Sequence, residues 1–225
     1  MIGLIVAMTS EFELVVKALN NVQIKKIKHL RFAIGDINGK SVVLLKSGMG
    51  KVNAAIGAVT MIDNFAPSCI INTGLAGGVD KSLSVMDVVA GADVVYHDVW
   101  CGPENAYGQV QELPEMYHAD TELLKKLSTI NTDVQIKSGL ITSGDKFITQ
   151  VSDLEQIKSV FPAALAVDME SAAIAQTCYL ADIPFLSLRI ISDTPGIENH
   201  YAQYRDFWNQ APEKSLDIIK QLLKD

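Results

Sequence analysis

Ile2-Gly-Leu-Ile-Val-Ala-Met8, running on into Thr9-Ser-Glu-Phe-Glu-Leu-Val-Val-Lys-Ala-Leu19, decides the fold class. The first stretch is apolar without alternation, as in a strand buried on both faces. The second places Phe12, Val15, Val16 and Leu19 on one helical face, and Ser10-x-x-Glu13 reads as a capping box at its start. The same succession recurs downstream. Strands are expected at Gly3–Met8, Ser41–Lys46, Ile70–Asn72, Asp87–Ala92, Ile136–Thr142, Ala164–Val167 and Phe185–Ile191. Helices are expected at Ser10–Leu19, Lys51–Asn64, Thr121–Ser128, Val151–Val160, Ser171–Leu180 and Pro212–Lys224. Short Val/Ile/Leu runs separated by amphipathic stretches are what helices on both faces of a largely parallel sheet require. The expected class is therefore α/β, a three-layer α/β/α sandwich around a central mixed, largely parallel twisted sheet.

With 225 residues, 48% of them hydrophobic and 20% charged, the composition is that of a globular chain. At this length roughly 70% of the unfolded surface can be buried, so the core needs neither metal nor disulfide. No repeat, low-complexity tract or linker divides the chain, and residues 1–225 are expected to form one domain. Cys69, Cys101 and Cys178 are odd in number, widely spaced and without a CxxC pair, which argues against a disulfide framework or a zinc site and fits a reducing compartment. His29, His97, His118 and His200 show no ligand spacing, so neither metal nor cofactor is expected. The apolar start lacks a basic leader and meets Glu11 and Glu13 too early for a signal peptide, and no apolar run is long enough to span a bilayer. A net charge of −7 disfavours nucleic acid and membrane surfaces as partners. Only Arg31, Arg189 and Arg205 are arginines, which is scant material for a phosphate clamp. The least regular segment, Tyr96–His118, is a long loop of the kind that is often functional.

Two glycine-rich turns follow expected strands, Ser47-Gly-Met-Gly-Lys51 and Thr73-Gly-Leu-Ala-Gly-Gly78. Neither is a nucleotide fingerprint: a P-loop ending at Lys51 would need glycine at 45 and Ser or Thr at 52, where Leu45 and Val52 stand. The glycines either let backbone N–H groups approach a ligand or simply make tight turns. Glu11 falls in a first helical turn, where free N–H groups favour its ionised form. It is either a general base toward water or a dipole complement. Asp168 and Glu170, between a strand and an Ala-rich helix, can grip sugar hydroxyls or cap the helix. Ser192-Asp193 ends a strand ahead of Thr194-Pro-Gly196. Acids at three strand ends of one sheet can converge on a single crevice. Phe147, Tyr107 and Tyr204, with Met8, Met49 and Met169, could line an apolar pocket for a base or thioether, or be filler.

Six segments together resemble the bacterial 5'-methylthioadenosine/S-adenosylhomocysteine nucleosidases of the nucleoside phosphorylase/hydrolase superfamily: Gly3–Glu11, Leu45–Val52, Ile71–Gly78, Ser143–Ile148, Ala166–Glu170 and Arg189–Asp193. The resemblance implies a purine nucleoside phosphorylase-like fold and hydrolytic release of adenine from 5'-methylthioadenosine and S-adenosylhomocysteine, extending to 5'-deoxyadenosine. By it, Glu11 activates water and Asp193 assists the departing adenine at N7. Glu170 accepts from the ribose hydroxyls with Met169 against the sugar, and Gly77 belongs to the substrate-binding set. Phe147 stacks on adenine and Ile148 reads its edge; Ser192 and Arg189 support the site; Met8, Met49 and Tyr204 border the 5' pocket. A homodimer is implied, with the partner's Tyr107–Leu113 loop closing that pocket, and the location implied is cytoplasmic. Three positions depart from the family pattern. Leu75 stands where relatives carry serine and cannot donate that hydrogen bond; Asp168 replaces a frequent glutamate; Tyr204 replaces phenylalanine. The competing readings are a phosphorylase, a hydrolase of another nucleoside such as futalosine, and a non-catalytic nucleoside binder, which would not need Glu11, Glu170 and Asp193 together.

Overall fold

A computed structural model describes residues 1–132, 134–194 and 211–224. Its strands are β1 (Ile2–Val6), β2 (Asn20–Ile27), β3 (Leu30–Ile37), β4 (Lys40–Lys46), β5 (Cys69–Gly78), β6 (Val88–Tyr96), β7 (Tyr117–His118), β8 (Ile136–Ser143), β9 (Ala164–Asp168) and β10 (Phe185–Asp193). The helices are α1 (Thr9–Ala18), α2 (Lys51–Phe65), α3 (Thr121–Ser128), α4 (Val151–Val160), α5 (Ser171–Leu180) and α6 (Ala211–Leu222). The sheet runs β10-β6-β8-β9-β5-β1-β4-β3-β2, and β10 also pairs with β5, so five strands close into a ring from which β1, β4, β3 and β2 extend as a flap. β1/β4, β1/β5, β5/β10, β6/β8 and β8/β9 are parallel, whereas β10/β6, β5/β9 and the flap's outer pairs are antiparallel.

The unbroken apolar strands follow from burial on both faces. Leu4 and Val6 of β1, Val42 and Leu44 of β4, and Leu186, Leu188 and Ile190 of β10 enter the core layer that α1, α3 and α6 cover. Their alternates Ile5, Val43, Leu45 and Ile191 enter the layer covered by α2 and α5. A third, smaller cluster under α4 joins Val95, Leu140, Ile157 and Phe161.

The sequence reading did not foresee the β2/β3 part of the flap. Six of the first seven residues of β2 are polar or exposed Val22, and the strand has no buried face, so hydrophobic periodicity is silent there. β3 and β4 are nevertheless joined by Asn38-Gly39 with φ of 51° and 76°, a pair suited to a two-residue hairpin turn. The other correction concerns Thr73–Gly78. These residues are not a turn but the second half of β5, held by β10 through Gly77 and by β9 at Gly77 and Gly78. Of the segment Tyr96–His118, residues 97–116 contain no helix or strand, but its ends are strand: Tyr96 closes β6 and Tyr117–His118 form β7.

Phe32 of β3 is fully buried, its ring 5.0 Å from that of Phe65 on α2. If the flap is an integral part of the core, Phe32→Ala should cost about 3–5 kcal/mol, read as a lowered urea midpoint at unchanged slope. A loss under about 1 kcal/mol would make the flap an appendage.

Candidate active site

A cleft opens beside the carboxyl ends of β1, β5, β9 and β10. Glu11, Met8, Met49, Gly77, Phe147, Ile148, Met169, Glu170, Arg189, Ser192 and Asp193 all line it. Tyr204 lies outside the described residues. The cleft is also bordered by Ala7, Leu75, Ala76, Lys146, Val167 and Asp168. Tyr107 does not border this chain's own cleft; its ring lies 6.2 Å from Phe161.

Glu11 occupies the third position of α1, whose N-cap is Met8. Its Oε2 accepts from the Met8 N–H (2.9 Å) and the Ala7 N–H (3.2 Å), so the capping carboxylate is Glu11, and Ser10 lies within the helix. This replaces the Ser10/Glu13 capping box. Burial explains the shift: Glu13 faces outward and is exposed, while Glu11 and Phe12 are turned inward and buried. Oε1 is buried without a hydrogen-bond partner among the described residues. Burial pushes the Glu11 carboxyl up to about 7, against the Met8 N–H and the Arg189 charge. Desolvation thus outweighs the helix terminus, and the expectation that the terminus would keep this group in its ordinary ionised range is corrected. A side chain at Gly74 would put its Cβ 3.1 Å from Glu11 Oε1 and 2.5 Å from Arg189 Nη1. Glycine at 74 is therefore what lets carboxylate and guanidinium share this space.

Asp168 and Glu170 divide the roles left open for them. Asp168 Oδ1 accepts from the Glu170 and Ser171 N–H groups, both at 3.3 Å, and so caps α5. Glu170 reaches across the cleft floor, where its Oε1 accepts from the Gly50 N–H at 3.0 Å. Burial raises the Glu170 carboxyl above the ordinary range against the pull of Arg189, and the Asp168 charge adds to the rise.

Arg189 is 1% exposed. Its Nε lies 2.6 Å from Asp168 Oδ2; its Nη2 donates to Ser171 Oγ (3.0 Å) and to Asn72 Oδ1, and stands 3.7 Å from Glu170 Oε2. Asn72 in turn donates to the Ile5 carbonyl (3.0 Å), and Ser143 Oγ donates to Asp168 Oδ1. The sequence reading overlooked Asn72, Ser143 and Ser171 as parts of the site. Their signal was present: polar residues at or just beyond the ends of apolar strands must find partners once buried.

Asp193, 2% exposed, pairs with Gly77 across a register shift between Ile191 and Asp193. That bulge lets the consecutive residues Ser192 and Asp193 both reach the cleft, where strict alternation would send them to opposite faces. Ser192 Oγ donates to Asp193 Oδ1 at 2.6 Å and lies 3.3 Å from the Ala76 carbonyl. Three acids from three strand ends therefore meet in one cleft. No group of three or more His, Cys, Asp or Glu among the described residues is arranged to hold a metal ion.

The family described as Phosphorylase superfamily matches residues 1–224. A 5'-methylthioadenosine/S-adenosylhomocysteine nucleosidase of Listeria welshimeri is 43% identical over 230 aligned positions, covering 99% of this chain and 98% of its own. The crystal structure of the nucleosidase of that name from Neisseria meningitidis, in complex with methylthio-immucillin-A, superposes with a TM-score of 0.94 at 36% identity, covering 99% and 98% of the two chains. A futalosine hydrolase of Helicobacter pylori shares the fold at a TM-score of 0.92 but only 25% identity, covering 99% and 96%.

The Glu11 shift has a consequence for stability. Between the ordinary value of 4.5 and about 7 the folded chain keeps a proton that the unfolded chain has released, so this group's contribution falls as pH rises through that window. Glu11→Gln removes the penalty, since a neutral amide oxygen still accepts from Met8. The variant should be more stable than the parent at about pH 8, with an advantage that shrinks toward about pH 5, measured by urea unfolding at each pH. A difference independent of pH would show that Glu11 is not the titrating group.

Proposed function

The chain belongs to the phosphorylase superfamily, and we propose that within it the protein is a hydrolytic nucleosidase that cleaves 5'-methylthioadenosine and S-adenosylhomocysteine to adenine and the 5'-thioribose product. The observation that carries this reading is the convergence of Glu11, Glu170 and Asp193 on one cleft, with Glu11 Oε1 buried and unpartnered among the described residues. A vacant, desolvated carboxylate oxygen raised to about 7 is suited to take a proton from water near neutral pH.

In the proposed mechanism the adenine–ribose C–N bond breaks with its electron pair going to adenine, leaving positive charge on the ribose. Asp193 hydrogen-bonds or protonates N7 of the leaving base. Glu11 takes a proton from the attacking water as the new C–O bond forms. Glu170 accepts from the ribose hydroxyls while Met169 packs on the sugar. Phe147, 43% exposed toward the cleft, stacks on adenine, and Ile148 reads its edge. Met8 and Met49, with Tyr204, border the 5' substituent. Leu75 offers no hydroxyl, so Glu11 and Arg189 position the water.

Water is favoured over phosphate by the state of the cations. Arg189 is already held by Asp168, Asn72 and Ser171, and Lys146, the other cation lining the cleft among the described residues, is paired with Asp153 at 2.7 Å. Arg31 sits over the Phe12 ring. A phosphate dianion would need positive charge that Arg189 and Lys146 have already committed to carboxylates; Arg205 lies outside the described residues. The smaller identity to the futalosine hydrolase favours an adenine nucleoside over futalosine.

Residues 1–225 are taken as one domain, in line with a family match to 224 and with β10 pairing to β5. The same reading makes the protein a cytoplasmic homodimer. Its cysteines Cys69, Cys101 and Cys178 are free, and no helix among the described residues is long and apolar enough to cross a membrane. On α2 the exposed side chains Val52, Ile56 and Val59 form an apolar stripe suited to a second copy, whose Tyr107–Leu113 loop would then close the 5' pocket.

The deciding experiment is chromatography of the products of 5'-methylthioadenosine with and without phosphate. Free methylthioribose at equal rates is expected; sugar-1-phosphate formed only with phosphate would make the protein a phosphorylase. Glu11→Gln and Asp193→Asn should each lower kcat by about 10²-fold or more, since each removes a proton-transfer partner. Ile56→Asp should convert dimer to monomer in sedimentation; a parent protein that is already monomeric overturns the dimer.

A further inference from the structure

The loop of residues 144–150, which carries Phe147 and Ile148, is tied to two distant segments through one carboxylate and one backbone amide. The Lys51 N–H donates to Asp145 Oδ1 at 2.7 Å, and the Asp145 N–H donates to Asp98 Oδ2 at 2.9 Å. Lys51 Nζ closes the circuit on Asp98, 2.9 Å from Oδ1 and 2.8 Å from Oδ2. Lys51 and Asp98 are 24% and 29% exposed at their side chains, so water screens the pair less than it does a free surface ion pair. The link is a network across the start of α2, the loop after β6 and the loop after β8.

The start of α2 explains why these groups meet. α2 has no acid in its first turn and no capping side chain of its own. Its free N–H groups must find acceptors elsewhere. Gly50 donates to Glu170 and Lys51 to Asp145, so one positive helix end holds a carboxylate that lines the cleft and one from the loop that carries Phe147 and Ile148. The close approach depends on two glycines. Gly50 has φ of 90° and a Cβ there would stand 2.9 Å from Asp145 Oδ1; a Cβ at Gly144 would stand 2.9 Å from Asp98 Cγ. Phe147 itself is 43% exposed.

We propose that Asp145, Lys51 and Asp98 are positioning residues that clamp the 144–150 loop to the α2 terminus that also holds Glu170, setting base-binding and sugar-binding groups from one helix end. That the ligand's base is adenine rests on the nucleosidase reading; the ordering of the loop does not.

The test compares Asp145→Ala with Asp145→Asn in two measurements, steady-state adenine release from 5'-methylthioadenosine and amide hydrogen exchange of residues 144–150 without ligand. Removing a charge-assisted acceptor should raise KM about tenfold while lowering kcat less than about threefold, and should speed exchange of the loop and of the first turn of α2. Asp145→Asn keeps an oxygen for the Lys51 N–H and should recover most of both effects. Asp98→Ala, which frees the Asp145 N–H and Lys51 Nζ from the outer side, should shift KM and exchange in the same direction and carries the test if Asp145→Ala does not fold. A KM within about twofold of the parent together with unchanged loop exchange overturns the clamp, as does an equal loss in the Asn and Ala variants. Failure of the parent to release adenine overturns the nucleosidase reading alone, because the exchange comparison still decides whether the clamp orders the loop.

Discussion

A guanidinium buried as deeply as that of Arg189 has to be neutralised where it stands, and the site is arranged around that requirement. Asp168 supplies the charge, Asn72 and Ser171 supply further acceptors, and Glu170 lies within 3.7 Å. These partners come from β5, β9 and the start of α5, so the arginine on β10 crosslinks the ends of the ring strands. Removing one partner would leave an uncompensated charge in the interior, a loss of about 3–5 kcal/mol in comparable cases. The same charge acts on the chemistry: it opposes the upward shift of both Glu11 and Glu170, without cancelling it. Burial thus raises both carboxyls, and the guanidinium that Asp168 holds in place limits the rise.

The second constraint is space. Gly74 lies where any side chain would separate Glu11 from Arg189, and the β5 segment that contains it stays extended because β9 and β10 flank it. The glycines of Thr73–Gly78 thus serve close packing within a sheet. The Gly48 and Gly50 pair, each with φ of 90°, is a true loop that brings the end of α2 over the cleft. Identical residue types with similar spacing therefore do different work, and only their strand partners tell them apart.

The site residues were legible where chemistry is scarce in sequence. Glu11, Glu170 and Asp193 stood at the ends of apolar runs, and acids there have few neutral explanations once three of them share a sheet. The polar residues that hold them were harder to see. Asn72 and Ser143, at or just past the ends of expected strands, and Ser171, at the start of an expected helix, carry no local mark, and what distinguishes them is the set of partners reached 18 to 117 positions away in the chain. The β2 strand escaped because it has no buried face, although Asn38-Gly39 announced the hairpin that follows it. The capping box was misplaced because Ser10-x-x-Glu13 satisfies the local pattern as well as Glu11 does, and only the burial of Glu11 in the folded chain chooses between them.

By itself the sequence determined seven of the ten strands and the six described helices, the α/β class and the identity of the acids, because those depend on hydrophobic period and on residue type, both of which are local. Tertiary structure decided the rest: that the sheet closes into a ring through β5 and β10, that the strand through Ile191 bulges to turn Ser192 and Asp193 into one cleft, and that Glu11 is raised where its helix position alone would keep it ionised. Closure, register and desolvation are properties of what lies across space from a residue, and a linear pattern carries no record of that.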